Sequence, residues 1–382
     1  MRPAYKWWEV FMTDHQAHST AQLARIADAD LQVLCVEYEN SVRKGQGWTN
    51  DERLPLPIQL LPKRWLRFVV ATLRSNPQCV HVFAGPFGNY KTTLAFLLAT
   101  LFGCRVYLLT EPYSPVAYGY FSDARLRIAV FLKSKVRPAL YRLHGLIFRN
   151  RVEGVFAVSP LAIEQLLKIG AAREKIFPFG YFVPSTVRDG AVNRSPRGSD
   201  QPIKVIYVGT LNHRKGLDLL VAAAAMLSAQ GVVAQVDVYG HGDAARFGLD
   251  TATVRYCGPI AFGGAQQVMQ EYDLLVLPSR YDGWGVVVNE AVLAGVPVVC
   301  SARVGAAAMI RKWGCGHVYE HGSARALADA LGFAVADASA LERMRQACRR
   351  LQPLLSPEAA GRYMYEVIDR KRLGAAPLNP WY

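Results

Sequence analysis

Short runs of almost entirely apolar residues alternate with segments of helical periodicity along nearly the whole chain. Apolar runs without a polar residue at every second position are typical of strands buried on both faces. Buried strands that alternate with helices predict parallel sheets covered by helices on each side, so we expect an α/β protein. The strand-like runs are residues 6–12, 31–38, 79–85, 104–110, 152–159, 203–209, 232–240, 274–279 and 296–301. The clearest helix-like segments are residues 18–29, 62–74, 91–101, 160–170, 216–230, 264–272 and 356–372.

The alternation is interrupted by a polar segment rich in Gly, Pro and Ser at residues 185–202. Such a composition is typical of a linker, and 382 residues are enough for two domains that each bury a core. We therefore expect an N-terminal Rossmann-like domain at 1–184, a second one at 203–355, and a terminal helix at 356–382 that packs near their junction. Ligands of such folds bind at the carboxyl ends of the strands, which predicts a site in a cleft between the two sheets.

The cysteines and the hydropathy of the sequence indicate the cellular compartment of the protein. The seven cysteines are dispersed and include no CxxC motif, which is typical of reduced thiols in a cytosolic protein rather than of a disulfide framework. The N-terminus has no hydrophobic signal core, and no window reaches 18 uninterrupted apolar residues. The sequence therefore predicts a cytoplasmic protein without a membrane span.

The formal net charge of +14 predicts an anionic partner. Residues 62–68 and 125–151 interleave Lys and Arg with bulky apolar side chains. That combination suits the headgroup layer of an anionic membrane, and it predicts a peripheral location on the inner face of the cytoplasmic membrane. A solvated basic helix face is the alternative for the same residues. The sequence contains no nucleic-acid-binding motif, so nucleic acid is not an expected partner.

Residues 277–301 indicate a ligand site. They read as a strand, a loop, a helix that is apolar except for Asn289 and Glu290, and a second strand. A carboxylate in a buried helix requires a specific partner, and the side chains of a helix lean toward its N-terminus. Glu290 is therefore expected to point back toward the loop that carries Asp282.

That loop also contains Gly283 and Gly285, which allow a ligand to approach the backbone. The exposed N–H groups and the dipole of the following helix favour an anion there. A ligand with an anionic part and hydroxyl groups, such as a sugar nucleotide, fits this arrangement, with Asp282 and Glu290 on the hydroxyls. The alternative is an acidic residue at a helix start followed by a structural glutamate.

Two further turns follow predicted strands in the second half of the chain. Arg214 and Lys215 lie just before Gly216, where a helix is predicted, and their charges could neutralise a diphosphate leaving group without a metal. His241 lies between glycines after the strand at 232–240, where the backbone could approach a base or a phosphate. Both segments also fit ordinary surface turns.

In the first half, His15 follows the first predicted strand and Glu111 follows the strand at 104–110. Their positions at strand ends make them candidate catalytic residues, although single His and Glu residues there can equally be structural. Residues 85–93 resemble a phosphate-binding P-loop, but Tyr90 stands where that motif requires Gly before the Lys, so we do not expect a P-loop. The spacing of His, Cys, Asp and Glu in the sequence does not indicate a metal site.

The second half of the chain, at about 203–320, resembles the retaining glycosyltransferases of family 4, which have the GT-B fold of two Rossmann-like domains. The segments that carry the resemblance are the glycine turn with Lys215, YGHGD at 239–243, YCGPI at 256–260 and PSRYDGWGVVVNEAVLAGVPVV at 278–299. In that family the last segment carries an acidic pair with the spacing of Asp282 and Glu290. The first half matches the family more loosely.

The resemblance implies a role for each matching residue. Lys215 and Arg214 would neutralise the donor diphosphate, Asp282 would contact the donor sugar, and Glu290 would hold the ribose. The residues that would contact the donor are Gly209, Thr210, His241, Gly258, Gly283, Trp284, Gly285, Val286 and Glu290.

The chain also departs from the family pattern at several positions. Asp282 stands where the family usually has Glu, and Thr210 stands where it usually has Arg. The family's Gly-Gly loop after the first strand is replaced by TDHQAHS, which contains His15, and its common His after a middle strand is replaced by Glu111. His15 and Glu111 therefore stand at positions where the family has catalytic contacts. Their side chains differ chemically from the residues that the family has there.

The resemblance implies transfer of a sugar from a nucleotide-sugar donor to an acceptor hydroxyl, with retention of configuration and without a metal or other cofactor. The leaving phosphate would accept the proton of the acceptor, which attacks from the same face. We expect a glycan or a polyprenyl-diphosphate-linked acceptor in bacterial polysaccharide biosynthesis. Two alternatives remain: a nucleotide-sugar epimerase of the same fold, and a non-catalytic protein that binds anionic surfaces.

Overall fold

The computed structural model describes residues 2–38, 54–85, 88–114, 150–187, 202–232, 234–320, 322–373 and 377–382, together with a few positions between 136 and 145. The chain divides into two compact units. Unit 1 comprises Met1–Tyr113, Leu132–Val183 and Ser356–Pro380. Unit 2 comprises Ser114–Phe131, Pro184–Leu355 and Trp381–Tyr382. Most of the predicted linker and of the basic segment at 125–151 lies outside the described residues.

Unit 1 is built on a parallel sheet. Its strands are β1 (Ala4–Glu9), β2 (Asp30–Cys35), β3 (Ile58–Leu60), β4 (Val80–Ala84), β5 (Arg105–Thr110), β6 (Gly154–Val158) and β7 (Ile176–Phe179). The helices whose full bounds the structure describes before residue 184 are α1 (Asp14–Ile26), α2 (Trp65–Arg74), α3 (Tyr90–Leu101) and α4 (Pro160–Lys168). The strand order is β3-β2-β1-β4-β5-β6-β7, and each adjacent pair is parallel. The order therefore reverses between β1 and β4, which is the switch point of this sheet.

Aromatic residues fill the core beneath this sheet. Trp8 is fully buried and stacks on Phe83 with ring centroids 5.5 Å apart. Its Nε1 donates a hydrogen bond to Nδ1 of His81 at 3.1 Å. Burial lowers the pKa of His81 to about 4, so this histidine is neutral at pH 7 and acts as a structural acceptor in the core.

Unit 2 is built on a second parallel sheet. Its strands are β8 (Ile203–Val208), β9 (Ala234–Tyr239), β10 (Val254–Tyr256), β11 (Leu274–Leu277), β12 (Val298–Ser301) and β13 (Gly316–Tyr319). Its helices are α5 (Leu217–Ala229), α6 (Ala265–Met269), α7 (Val286–Leu293), α8 (Ala307–Trp313), α9 (Ala324–Ala336) and α10 (Ala338–Leu351). The strand order is β10-β9-β8-β11-β12-β13, and each adjacent pair is parallel. The switch point therefore lies between β8 and β11.

The last helix of the chain, α11 (Pro357–Leu373), belongs to unit 1 and packs along α1. Gly361 permits this close approach, because a Cβ there would lie 2.7 Å from both the Cβ of Gln22 and the backbone nitrogen of Leu23. The final two residues belong to unit 2. Trp381 is fully buried there, and its Nε1 donates to the carbonyl of Leu354 at 2.7 Å.

The predicted α/β class with two Rossmann-like parallel sheets is confirmed. The prediction of the first helix was wrong at its start: α1 begins at Asp14, about one turn before residue 18, so His15 lies in the helix and not in a loop. Asp14 in the first turn is favoured by the helix dipole. The strands β3, β10 and β13 were not predicted because they are only three or four residues long and half-exposed in part.

All seven cysteines are free thiols, and five of them are buried. Burial raises the pKa of Cys35 and of Cys300 to about 12, so these thiols stay protonated and act as small apolar groups. In the described part of the chain, no helix combines the length and the apolar character that crossing a bilayer requires.

Candidate functional site

The two loops that flank the switch point of unit 2 carry most of the predicted site residues. One loop follows β8 and runs from Gly209 to Gly216, and the other follows β11 and runs from Pro278 to Gly285. Parallel strands end at the same edge of a sheet, and the reversal of strand order leaves a crevice at this edge for a ligand. The sequence therefore placed these candidates at the edge where such folds bind ligands.

A glycine with left-handed backbone brings the two loops into contact. Gly216 has a φ of +74°, and a Cβ on it would lie 2.0 Å from the carbonyl oxygen of Pro278. Asn212 shapes the turn before it, because its side chain accepts a hydrogen bond from the backbone N–H of Lys215 at 3.0 Å. The N–H of Arg280 in turn donates to the carbonyl of Arg214 at 2.8 Å. Only glycine fits at 216, and the contact fixes where Lys215 leaves the backbone.

Lys215 and Asp282 form an ion pair between the two loops. The Nζ of Lys215 lies 2.5 Å from Oδ2 of Asp282, and the two side chains are 15% and 13% exposed. A pair that is this well covered is screened less by water than a surface pair, so its geometry is well defined. The cation predicted to meet a diphosphate and the first acid of the predicted pair are thus direct partners.

Two arginines, Arg214 and Arg280, stabilise the loops on either side of this ion pair. Nη1 of Arg214 donates to the carbonyl of Tyr281 at 3.1 Å. Arg280 makes a bidentate ion pair with Asp218, with distances of 2.7 and 2.6 Å. Burial alone would raise the pKa of Asp218, but the Arg280 guanidinium offsets this and holds that pKa below its usual value. Sequence reasoning missed the Arg280–Asp218 pair because neither residue has a distinctive motif position.

Residues Asp282 to Gly285 are held by a second loop behind them. The N–H of Asp282 donates to the carbonyl of Arg303 at 3.0 Å, and its carbonyl accepts from the N–H of Gly305 at 3.0 Å. The N–H of Ala306 donates to the carbonyl of Trp284 at 2.9 Å. Gly285 has a φ of +90° and precedes α7. The backbone of this segment is therefore positioned by hydrogen bonds to protein and not by solvent.

The helix α7 buries one of its two polar residues more completely than the other. Asn289 is completely buried, and its Oδ1 accepts a hydrogen bond from Nε1 of Trp284 at 2.9 Å. Glu290 is only partly buried and shares the less buried face of α7 with Val286 and Val287. The core position is therefore occupied by Asn289, while the expected partner of Glu290 remains a prediction. Glu290 lies one turn behind the residues that open the helix, so its side chain leans toward the loop of Asp282.

The glycine turns after β8, β9 and β10 lie against one another. The N–H of Gly209 donates to the carbonyl of Tyr239, and the N–H of Gly240 donates to the carbonyl of Gly258, both at 3.0 Å. A Cβ on Gly240 would lie 1.8 Å from the carbonyl oxygen of Gly209. His241 continues this contact, because its carbonyl accepts from the N–H of Leu211 at 2.9 Å. The structure therefore brings three of the predicted donor-contact segments together at one edge of the sheet.

Thr210 lies within the same cluster. It is partly exposed, and its carbonyl oxygen accepts a hydrogen bond from the buried hydroxyl of Tyr207 at 3.0 Å. Burial raises the pKa of Tyr207 far above its usual value, so this hydroxyl remains a donor. The Thr210 side chain takes the place at which the predicted family has Arg, and the described cations nearest in sequence are Arg214 and Lys215.

Unit 1 contains a separate polar network, near its own switch point after β1. Nε2 of Gln16 donates to Oε1 of the buried Glu9 at 2.9 Å. The hydroxyl of Thr13 donates to Oε1 of Gln16 at 2.5 Å, and Nε2 of His15 lies 3.1 Å from the same hydroxyl oxygen. The Thr13 hydroxyl has only one proton to give, so its oxygen accepts from His15. This order of donors places a proton on Nε2 of His15.

Tyr181 links His15 to Glu111. The rings of His15 and Tyr181 have centroids 4.3 Å apart, and the hydroxyl of Tyr181 donates to Oε1 of Glu111 at 2.5 Å. Glu111 is exposed and follows β5 directly. The structure thus gathers both first-half candidates into one cluster. It adds Glu9, Gln16 and Tyr181, which belong to no recognisable motif.

Glu9 gives the cluster a pH dependence. Burial, reinforced by the nearby charge of Glu111, raises the pKa of Glu9 to about 8. The folded state keeps this proton while the unfolded chain loses it near the usual pKa of 4.5, so stability falls as pH rises from about 4.5 to about 8. We expect Glu9→Gln to be more stable than the natural chain by on the order of 3 kcal/mol at pH 7 and equally stable at pH 4. Denaturant unfolding of both chains across this range measures the difference.

The exposed Glu174 provides the matched control for that experiment. Glu174→Gln also removes one carboxylate from unit 1, and we expect its stability difference from the natural chain to change little with pH. A Glu9→Gln difference that stayed constant between pH 4 and pH 8 would contradict a protonated Glu9.

Metal-ligating residues are dispersed in the part of the chain that the structure describes. No group of three or more His, Cys, Asp or Glu side chains there could hold a metal ion. The expectation that the reaction needs no metal remains a prediction.

Two Rossmann-like units, with glycine turns and a Lys–Asp pair at the switch point of the second, define the GT-B class of fold. Comparison with known proteins agrees: residues 192–351 match the family model described as Glycosyl transferases group 1. This segment therefore has the sequence features of a group 1 glycosyltransferase domain.

Individual relatives match over limited lengths. The chain is 24% identical to the amylovoran biosynthesis glycosyltransferase AmsK of Erwinia amylovora over 184 residues, which is 44% of this chain and 45% of that protein. It is 30% identical to glycogen synthase of Mycobacterium tuberculosis over 115 residues, which is 28% of this chain and 27% of that protein. The chain thus spans less than half the length of these curated relatives.

The likeness to solved structures covers more of the chain than the sequence relatives do. The crystal structure of Anabaena Alr3699/HepE in complex with UDP superposes with a TM-score of 0.67 and 16% sequence identity, covering 96% of this chain and 99% of that one. At this identity the likeness establishes the GT-B fold.

Proposed function

We propose that the protein is a retaining glycosyltransferase that moves a sugar from a nucleotide-sugar donor to an acceptor hydroxyl. The observation that carries the proposal is the ion pair of Lys215 and Asp282 at the switch point of unit 2. The pair holds a cation at the edge where the glycine turns lie together, inside the segment that matches the glycosyltransferase model. The likeness to a structure solved with UDP supports a nucleoside diphosphate as part of the donor.

The chemistry requires charge neutralisation and little else from the protein. The bond between the sugar and the diphosphate breaks, the acceptor oxygen bonds to the same carbon on the same face, and the acceptor proton passes to the leaving phosphate. Negative charge grows on the diphosphate as its bond breaks, and Lys215 and Arg214 are the cations positioned to stabilise it. Asp282 and the carbonyl of Tyr281 hold these two cations at the site before the donor binds.

Asp282 takes a more specific role in this proposal than the sequence indicated. A carboxylate beside a diphosphate would repel it, but Asp282 is neutralised by Lys215 at 2.5 Å. We assign Asp282 to hold Lys215 before the donor arrives and to contact the sugar hydroxyls once the donor draws Lys215 toward its phosphates. Glu290, on the less buried face of α7, holds the ribose. The remaining donor contacts come from the residues implied by the family resemblance, including Gly283, Trp284 and Val286.

The first-half cluster belongs to the acceptor side of the proposal. His15 and Glu111 are held together by Tyr181, and both follow strand ends of the unit 1 sheet. Their hydrogen-bonding groups suit the hydroxyls of a glycan or of a lipid-linked sugar. The likeness to AmsK supports an acceptor in bacterial polysaccharide biosynthesis, such as a polyprenyl-diphosphate-linked glycan. An enzyme with that acceptor works at the inner face of the cytoplasmic membrane.

Ligand-induced stabilisation and product analysis together test this function. The purified protein is heated with each member of a nucleotide-sugar panel, and the donor should raise the free energy of unfolding by about 2.7 kcal/mol at one hundred times its Kd. The stabilising donor is then incubated with acceptor glycans, and release of the nucleoside diphosphate is measured together with the anomeric configuration of the product. A donor that is converted without any acceptor would indicate an epimerase. A protein that is stabilised by no nucleotide sugar would refute the proposal.

A further inference from the structure

One long stretch of unit 1 carries cations and no acidic residue. Residues 54–110 contain no Asp or Glu. The cations in this stretch are Lys63, Arg64, Arg67, Arg74, Lys91 and Arg105. A folded surface usually mixes both signs of charge, so a one-signed stretch of this length indicates an anionic partner.

Most of these cations project from one helix. Lys63, Arg64, Arg67 and Arg74 lie on or just before α2, and all four are exposed. Arg67 and Arg74 are seven residues apart, which places them along one stripe of the helix, and Lys63 and Arg64 lie just before its first residue. Among the described residues, none of the four forms an ion pair with a carboxylate. The charge of this stripe is therefore not neutralised by its described surroundings.

The neighbouring helix α3 presents apolar residues outward. Tyr90 and Leu101 are 68% and 65% exposed, and Leu94 and Leu97 are partly exposed. Positions 90, 94, 97 and 101 follow one another at the spacing of a single helix face. A surface helix normally places polar residues there, so this face lacks the polar cover that contact with water alone would favour.

The two helices lie side by side and form one surface. At one end the rings of Trp65 and Tyr90 have centroids 6.0 Å apart. At the other end the guanidinium of Arg74 lies 4.8 Å from the centroid of the Phe102 ring. The cationic stripe of α2 and the apolar face of α3 therefore belong to two helices that touch at both ends. We call this the α2–α3 surface, made of Lys63, Arg64, Leu66, Arg67, Arg74, Tyr90, Leu94, Leu97, Leu101 and Phe102.

We propose that the α2–α3 surface binds the anionic lipid headgroups of a membrane. Its cations match the headgroup charge, each contributing about 1 kcal/mol at the surface. Its leucines and aromatic side chains can enter the boundary between headgroups and acyl chains, which stabilises binding by burying apolar area. The inference deepens the proposed function, on which it rests for the lipid-linked acceptor, but the surface itself is defined by geometry and charge alone.

The apolar residues of the α2–α3 surface favour a membrane over a nucleic acid as its partner. A phosphate backbone would satisfy Arg64 and Arg67 equally well, but it would leave the exposed face of Tyr90 and Leu101 in water. Binding to a nucleic acid is also lost steeply with salt, whereas the apolar part of membrane binding persists. Salt dependence therefore distinguishes the two partners.

Vesicle sedimentation with the full chain tests the proposal. Vesicles of phosphatidylcholine mixed with phosphatidylglycerol should sediment the protein, and vesicles of phosphatidylcholine alone should sediment much less of it. The double variant Arg64→Glu with Arg67→Glu should reduce partitioning roughly 30-fold or more, because two favourable charges are lost and then reversed. Leu101→Ser with Tyr90→Ser should remove the part of the binding that survives high salt.

Arg311→Glu with Arg350→Glu is the matched control, because it changes the net charge equally at two exposed positions of unit 2. The proposal is overturned if this control loses as much vesicle binding as the α2 variant, or if a single-stranded or duplex oligonucleotide competes all of the binding away. Donor-induced stabilisation is measured on every variant. Retained donor binding with no vesicle binding by the natural chain would refute this inference while leaving the proposed function intact. Vesicle binding without stabilisation by any donor would leave this inference intact and refute the proposed function.

Discussion

Lys215→Met should lower the rate of sugar transfer by two to three orders of magnitude. Lys215 is the cation held between the two switch-point loops, and its Nζ is only 2.5 Å from Asp282. Without it the growing charge of the diphosphate faces a carboxylate instead of an ammonium group, and loss of one preorganised donor typically costs about 3–4 kcal/mol of transition-state stabilisation. The rate of nucleoside diphosphate release at saturating donor and acceptor measures the effect.

Lys204→Met is the matched control for this experiment. Lys204 is exposed on β8 of the same unit, so its replacement removes the same charge away from the loops. We expect it to transfer at the rate of the natural chain. Lys215→Arg keeps the charge with a different shape and should retain an intermediate rate. If Lys215→Met transferred sugar as fast as Lys204→Met, the assignment of Lys215 to the diphosphate would be wrong.

Lys215→Met also leaves Asp282 without its cation, which should reduce stability. The double variant Lys215→Met with Asp282→Asn removes the remaining charge. We therefore expect the double variant to regain thermal stability and to stay as slow as Lys215→Met. This pattern separates the catalytic effect from a folding defect, and recovery of both properties together would show that the single variant was merely misfolded.

Glu290→Gln should weaken donor binding by about tenfold to a hundredfold while the fold is kept. A hydrogen bond that involves a charged group contributes about 1.5–3 kcal/mol, and the amide keeps the shape of the side chain but loses its charge. Because Glu290 lies on the less buried face of α7, its replacement does not disturb the core, which Asn289 occupies. The KM for the donor and donor-induced thermal stabilisation are the quantities to measure.

Glu271→Gln makes the same chemical change at an exposed position of unit 2 and should leave donor affinity unchanged. Glu290→Ala should bind the donor even more weakly than Glu290→Gln, because it loses the hydrogen-bonding group as well as the charge. An unchanged KM in Glu290→Gln would remove Glu290 from the donor site.

The periodicity of the sequence was sufficient to predict the sheets because their strands are nearly all apolar. Elements between residues 302 and 355 were missed for the opposite reason. The strand at Gly316–Tyr319 is short and half-exposed in part, and the neighbouring helix Ala338–Leu351 is largely polar. Such elements form because the sheet and helices beside them supply an apolar surface, which is a tertiary effect that local patterns do not contain.

The site residues also divide into features that local sequence patterns predicted and features that depend on tertiary contacts. Lys215 and Asp282 were predicted from glycine turns at strand ends, but their direct pairing depends on the contact of Gly216 with Pro278 across the sheet. Asn289 and Glu290 differ in burial because adjacent helical residues differ in direction by about a quarter turn. The sequence alone does not fix which of Asn289 and Glu290 faces the core.

The first-half cluster was the least predictable part. Glu9 lies inside a strand that reads as apolar, and Tyr181 is far from His15 and Glu111 in the sequence. Only the parallel order of β1, β5 and β7 in the sheet brings these residues to the same edge. The segment TDHQAHS, which replaces a family motif, indicated a different chemistry at that position. It did not indicate which other residues of unit 1 join the cluster.

The division of unit 1 along the chain has a consequence for synthesis. Its last helix, α11, packs on α1 through the close approach of Gly361, yet the ribosome makes it only after residues 184–355 of unit 2. Until then the side of α1 that α11 covers lacks its partner. Unit 2 also waits for the end of the chain, because the buried Trp381 donates to the carbonyl of Leu354. We therefore expect both units to reach their native packing only after the last residues have left the ribosome, rather than in the usual N-to-C order.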